Sequence, residues 1–238
     1  MNVGSVNWNW REVEALLESL AASDDELIVC GGQAVAFWSQ RYGLTPITSR
    51  DLDVVADRES AKRMADRLGG TASYPGRYDM TVLTAVVRVA WFGKSLQIEC
   101  LSTVPGLEPD PEAISEKLVL GATRHLRILH PMALVMAKLH ALRFFDQTER
   151  QDESHFRVAW IAAQRWLIDL VESDSPHGLR LIHQWYRTAR QRPNRRILDS
   201  LMLDWKALIP LEALHQRQTL DPLIARFLAE QWPRLAQE

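Results

Sequence analysis

The chain has 238 residues, a formal net charge of −2 and 47% apolar side chains, enough to bury a core in one large domain or two small ones. That balance excludes a globally basic field, so any contact with nucleic acid has to come from a local patch. No run of about 18 apolar residues offers a membrane span, and the opening M-N-V-G-S-V-N-W lacks the basic and apolar regions of a signal peptide, so a cytoplasmic location is expected. Cys30 and Cys100 lie in apolar, strand-like runs without ligand spacing, which reads as reduced core thiols.

Trp10, Val13, Leu16, Leu17 and Leu20 recur at helical spacing with Asn7 or Asn9 as cap, predicting an amphipathic helix that ends near Ser23-Asp24-Asp25. Leu27 to Cys30 follows as a short buried strand. The pair Gly31-Gly32 precedes a helix from Gln33 to Tyr42, whose Ala34, Val35, Phe37 and Trp38 are expected to pack inward before Gly43 ends it. The loop L-T-P-I-T-S leads into D-L-D-V-V, a strand with Leu52, Val54 and Val55 expected on its buried side.

Two features of this stretch carry chemistry. Asp51 and Asp53 stand two apart on a strand, so their carboxylates share a face and can meet one cation. A glycine turn at a helix N-terminus leaves backbone N–H groups aimed outward, a ready site for an anion. Phosphate on the amides of Gly31 and Gly32, with a divalent metal on the aspartates, is a nucleotide site in outline.

Farther on, Glu59 to Leu68 reads as a helix stopped by Gly69-Gly70, and Tyr74-Pro75-Gly76 as a turn. Met80 to Phe92 and Ser95 to Leu101 suggest a hairpin across Gly93-Lys94. In S-L-Q-I-E-C-L the apolar Leu96, Ile98 and Cys100 alternate with Gln97 and Glu99, which turns Glu99 away from the core. Past Pro105, Ala113 to Gly121 reads as a short helix, His125 to His130 as a last strand, and Pro131 as the first residue of a helix to about Phe145. The remainder is helical. Trp160, Ala163, Leu167 and Leu170 keep the period, followed by segments Leu179 to Arg190, Arg195 to Leu208 and Leu220 to Leu228, with turns at Pro176, Pro193, Pro210 and Asp221-Pro222. A boundary in the polar stretch Asp146 to Glu153 divides the chain into an α+β domain over 1–145, with a mixed sheet flanked by helices, and a helical C-terminal region over 146–238.

The ordered set of strand, Gly31-Gly32 with Gln33-Ala34-Val35, helix, and Thr48-Ser49-Arg50-Asp51-Leu52-Asp53 resembles the nucleotidyltransferase superfamily that includes DNA polymerase beta. Within it, the closest resemblance is to the AbiEii-type nucleotidyltransferases, often toxins of toxin–antitoxin pairs. Here the helix and its exit loop are longer than in the commonest versions. The resemblance covers about the first 155 residues and implies a Mg²⁺- or Mn²⁺-dependent enzyme that moves a nucleoside monophosphate from a nucleoside triphosphate to an acceptor hydroxyl on RNA, protein or a small molecule. It implies metal ligands and catalytic residues at Asp51, Asp53 and, matching a third carboxylate of the family, Glu99. Lys138 matches a family lysine near the nucleotide, a surface lysine with its stem on the core being the other reading. Asp152 aligns with a family acid that usually follows a lysine, although Gln151 stands where that base would be. The alternative function is a non-catalytic nucleotide- or partner-binding relative, such as a toxin–antitoxin component, and an antitoxin is the partner the resemblance implies.

Three further patterns stand in the sequence. Gly93-Lys94-Ser95 matches the end of a phosphate-binding loop, but Arg88 stands where its first glycine is required. His125, His130 and His140 lack the spacing of a zinc site. Arg187, Arg190, Arg192, Arg195 and Arg196 fall within ten residues around a proline, a density suited to RNA phosphates, with a solvated helix–helix corner as the other reading.

Overall fold

The computed structural model describes residues 7–21, 27–120, 124–148 and 150–237. The protein is α+β, with a seven-stranded mixed sheet flanked by helices and a helical C-terminal region. It separates into two compact units, residues 1–137 and 138–238, and the division falls inside one helix.

The first unit opens with α1 (Trp10–Leu20). Asn9 caps it, accepting from the backbone of Glu12 while the Glu12 carboxylate accepts from the Asn9 amide, so two N-terminal donors are satisfied reciprocally. Its stripe Trp10, Val13, Leu16, Leu17 and Leu20 is buried. The expected end near residues 23–25 lies outside the described residues.

Strand β1 (Ile28–Cys30) runs directly into α2 (Gly31–Arg41), and both glycines belong to the first turn of that helix. Of its expected inward residues, Ala34, Val35 and Trp38 are buried, whereas Phe37 is half-buried and packs edge-on against Trp10 and Trp38. The Trp38 indole donates to the carbonyl of Leu129 at 2.8 Å, so the helix is fixed to the sheet by a polar contact as well as by packing.

Strand β2 (Asp51–Val55) pairs antiparallel with β1 and parallel with β5 (Lys94–Leu101), which puts it in the middle of the sheet. Leu52 and Val54 are buried, each worth about 1.5–3 kcal/mol of apolar burial. Asp51, Asp53 and Val55 occupy the alternate positions and are half-buried. Val55 therefore lies on the acidic side rather than with Leu52 and Val54, as strict period-two alternation requires.

Helix α3 (Arg58–Leu68), capped by Asp57 and closed by Gly69 in the left-handed conformation, leads to β3 (Thr71–Ser73), β4 (Leu83–Trp91) and β5. The short edge strand β3, on T-A-S, was not read from sequence because three residues show no alternation. Beyond it, α4 is only Pro111–Ile114, and Ser115–Leu120 forms β6 where a helix to Gly121 was expected. Its alternation, with Leu118 and Leu120 buried between exposed Lys117 and Val119, and its antiparallel ladder with β7 (Arg124–Leu129) override the helix propensity of its Glu, Lys and Leu residues. The sheet order is β3-β4-β5-β2-β1-β7-β6. Helix α5 (Pro131–Phe144) follows and crosses into the second unit.

That unit is built from α6 (Asp152–Ser173), α7 (Ser175–Ala189), α8 (Arg192–Ser200), α9 (Leu211–Arg217), α10 (Pro222–Arg226) and α11 (Trp232–Gln237), with a 3₁₀ turn at Trp205–Leu208. Pro176, Pro193 and Pro222 sit in first turns, where the missing N–H costs nothing. The segment expected over 195–208 is broken after Leu201 by Met202, whose φ is +56°. Phe156, Trp160, Trp166, Ile182, Trp185, Trp205 and Phe227 form its buried aromatic and aliphatic centre. No helix among the described residues is long and apolar enough to cross a membrane.

Candidate metal centre

The parallel pairing of β2 with β5 aligns Asp51 with Gln97 and Asp53 with Glu99. Because residues two apart on a strand share a face, this register gathers all three acids on one patch of the sheet. One carboxylate oxygen from each of Asp51, Asp53 and Glu99 lies within 4.8 Å of the others, and all three residues are half-buried. The third acid, placed from alternation in S-L-Q-I-E-C-L, thus joins the aspartate pair.

Three like charges this close repel one another, and the repulsion is relieved by a cation, by protonation or by hydrogen-bond donors. Hydrogen-bond donors meet the cluster among the described residues. The Ser49 hydroxyl donates to Asp51 Oδ1 at 3.0 Å, and the Gln97 side-chain amide donates to Glu99 Oε1 at 2.8 Å. Ser49 is itself held by a two-way backbone pairing with Trp8, at 2.7 and 3.0 Å, in which the fully buried Trp8 anchors the approach to β2. Gln33, also fully buried, donates to the Trp8 carbonyl at 3.0 Å. The site therefore rests on hydrogen bonds that reach back to α2 and the N-terminal segment.

The glycine turn meets the acids directly. Cys30 pairs with Asp53 across β1 and β2, and Gly31, the next residue, has φ +61°. A Cβ built on Gly31 would stand 1.7 Å from Asp53 Oδ2, so this position admits only a residue without a side chain. The side chain of the N-cap residue Cys30 makes no capping hydrogen bond to α2. Its first turn thus opens beside a carboxylate cluster, with positive partial charge at the helix end complementing the acids.

On the opposite side of β5, Cys100 is fully buried, and burial, with a smaller contribution from the charge of Glu99, pushes its thiol up to about 12. It is an inert core thiol, as expected from the sequence; Cys30 is buried too.

Lys138 lies in the second unit. Its ammonium donates to Asp152 Oδ1 at 2.7 Å, with 11% and 3% of the two side chains exposed, and Arg150 Nε pairs with the other oxygen of Asp152. The surface-lysine reading is therefore replaced by a buried ion pair. Asp152, left without a role by the absence of a base at 151, finds its second base at Arg150, one residue earlier. Arg187, Arg190, Arg192, Arg195 and Arg196 are all exposed, at the junction of α7 and α8.

Sequence reasoning missed Ser49 and Gln97 as supports of the acids. The signal for Gln97 was present, since it stands two residues before Glu99 on the same strand face. Comparison with protein-family models and with curated proteins finds no match for the chain, so its function is read from the three carboxylates and the glycine turn beside them.

Proposed function

We propose that the chain is a divalent-metal-dependent nucleotidyltransferase, a member of the superfamily its Gly31-Gly32 and Asp51-x-Asp53 pattern resembles. The observation that carries this reading is the convergence of Asp51, Asp53 and Glu99 within 4.8 Å beside the helix start at Gly31. The three acids are the residues that would hold Mg²⁺ or Mn²⁺. Two oxygens on opposite sides of one Mg²⁺ stand about 4 Å apart, so the cluster needs little closing to serve as ligands. When bound, the metal neutralises phosphate charge and orients the reacting oxygens.

The chain's own groups do the rest. The backbone N–H groups at Gly31 and Gly32 receive phosphate oxygens at the N-terminus of α2. Ser49 and Gln97 hold the carboxylates on strands rather than loops, which keeps the site ordered before substrate arrives. An acceptor hydroxyl oxygen forms a bond to the α-phosphorus as the bond from that phosphorus to the pyrophosphate oxygen breaks. The hydroxyl proton departs toward the carboxylate cluster, on the side of Glu99. The acceptor is an alcohol on RNA, protein or a small molecule.

Incubation of the protein with α-labelled nucleoside triphosphates, Mg²⁺ and a cell extract tests the reading. Transfer of label to a discrete acceptor, lost in Asp51→Asn/Asp53→Asn, is expected. Label that stays on the nucleotide in every extract, with nucleotide binding intact, favours the second reading, a non-catalytic nucleotide- or partner-binding relative such as a toxin–antitoxin component. One observation supports that alternative: the Lys138 ammonium is engaged by Asp152, so its charge is already partnered.

A further inference from the structure

Twenty-four consecutive residues, Ser175 to Leu198, contain six arginines and no aspartate or glutamate, in a chain whose net charge is −2. Arg180, Arg187, Arg190, Arg192, Arg195 and Arg196 are all exposed. On α7, Arg180, Arg187 and Arg190 are spaced seven and three apart, which places them along one stripe about 15 Å long. Arg192, Arg195 and Arg196 share a face of α8 by the same rule. The turn joining the two helices is fixed, because the buried Asn194 side chain donates to the carbonyl of Thr188 at 2.9 Å. Arg190 stacks over the Tyr186 ring at 5.1 Å and donates to its hydroxyl at 2.8 Å.

Two other helical arginines of this unit have an acid one turn away. Arg157 pairs with Glu153 and Arg226 with Glu230, each one helical turn away. At the positions three and four residues either side of Arg180, Arg187, Arg190 and Arg192 there is no acid. The first one along the chain, Asp199, is in reach of Arg195 and Arg196 alone by that spacing. Concentrated like charge of this kind costs stability through self-repulsion, and a surface lysine would serve solubility as well. Guanidinium groups are the choice where phosphate oxygens are gripped two at a time. A row 15 Å long suits several successive phosphates better than a single one.

We propose that the α7–α8 arginine surface binds the phosphodiester backbone of a nucleic acid. The binding is electrostatic and independent of the carboxylate centre, so it stands or falls separately from the transferase reading. Beside it lies an open cleft of about 440 Å³ whose lining includes Arg195, Lys206 and Trp205 together with Asp199 and Asp204; these acids mark where the basic surface stops.

The test is fluorescence anisotropy of the full chain, in EDTA to silence the carboxylate centre, with a labelled unstructured 20-nucleotide RNA and with DNA of the same sequence. Vesicles of phosphatidylglycerol serve as a third probe. Binding to a nucleic acid is expected at low salt, with log K falling against log salt at a slope of about −3 for four phosphate contacts on a single strand. Arg187→Gln/Arg192→Gln/Arg196→Gln should weaken it at least tenfold and flatten the slope by about 2, whereas the corresponding triple lysine variant should keep the slope, since it keeps the charge, and lose less affinity than the glutamine variant. RNA and DNA bound alike means that the backbone alone is read; a preference for RNA means that the 2′-hydroxyl contributes. The proposal is overturned if neither nucleic acid binds, if only the vesicles do, or if the triple glutamine variant binds as well as the parent.

Discussion

Gly31 and Asp53 occupy each other's space: a methyl group on the glycine would lie 1.7 Å from the aspartate Oδ2. Gly31 cannot gain a side chain without displacing the Asp53 carboxylate, which couples the glycine turn to the acidic strand. Gly31→Ala therefore strikes twice. It places a side chain at φ +61°, costing about 1–2 kcal/mol, and it drives the Asp53 carboxylate out of the cluster. A Mn²⁺ titration of this variant should show affinity reduced by about 100-fold, with stability lowered by about 1–2 kcal/mol from the backbone strain. Unchanged Mn²⁺ affinity would mean that Asp53 is not a ligand.

Gln97 and Ser49 hold acids without being acids. A side chain that orients a metal ligand is worth about 10- to 100-fold in metal affinity. Gln97→Ala removes the donor to Glu99 Oε1 from a half-buried position, so the fold should melt within about 0.5 kcal/mol of the parent while Mn²⁺ binds at least tenfold more weakly. Chemical shifts of the Glu99 carboxylate carbon report the same change directly.

The Lys138–Asp152 pair makes a stability prediction that sequence alone reverses. A surface lysine would be replaced by alanine at no cost. Here Lys138→Ala leaves the Asp152 carboxylate buried with Arg150 as its remaining partner, and breaking buried pairs costs about 3–5 kcal/mol. Urea unfolding should place the variant near the lower end of that range. Lys138→Met, which keeps the stem, should recover part of the loss.

The same pair sets a pH dependence. Burial pushes the Asp152 carboxyl up, but hydrogen bonds from Arg150 and Lys138 and their charges outweigh it and hold the group down at about 2. Since the folded value lies below the unfolded one of about 3.9, the pair contributes fully above about pH 4. That contribution, on the order of 2 kcal/mol, is lost as pH falls through about 2. Unfolding free energies of the parent and of Asp152→Asn between pH 2 and 6 should converge at the acid end, and parallel curves would contradict the assignment.

What the sequence disclosed, and what it concealed, follows from the range of the interactions involved. Asp51 and Asp53 were legible as a pair because their relation is local, two residues on one strand. The side of β5 that Glu99 faces was legible from alternation, but its partnership with Asp53 depends on a strand register that no local pattern encodes. Ser115–Leu120 was misread as helix because S-E-K-L-V-L satisfies both periods over six residues, and its ladder with β7 decided the matter. Asp152 looked idle because its base was sought at 151, whereas one of its two partners sits at 138 on another helix.

The measurement that bears most directly on the central claim is calorimetric titration of the protein with nonhydrolysable nucleoside triphosphates in Mg²⁺, each of the four bases in turn. The parent and Glu99→Gln should bind at least one of them, because in the proposed function the aspartates would hold the nucleotide-associated cation and the third acid would serve the acceptor side. Asp51→Asn/Asp53→Asn should not bind, and EDTA should abolish the signal from the parent. Equal affinity in all three proteins, or binding indifferent to EDTA, would contradict the assignment of Asp51, Asp53 and Glu99 as a nucleotide-handling metal centre.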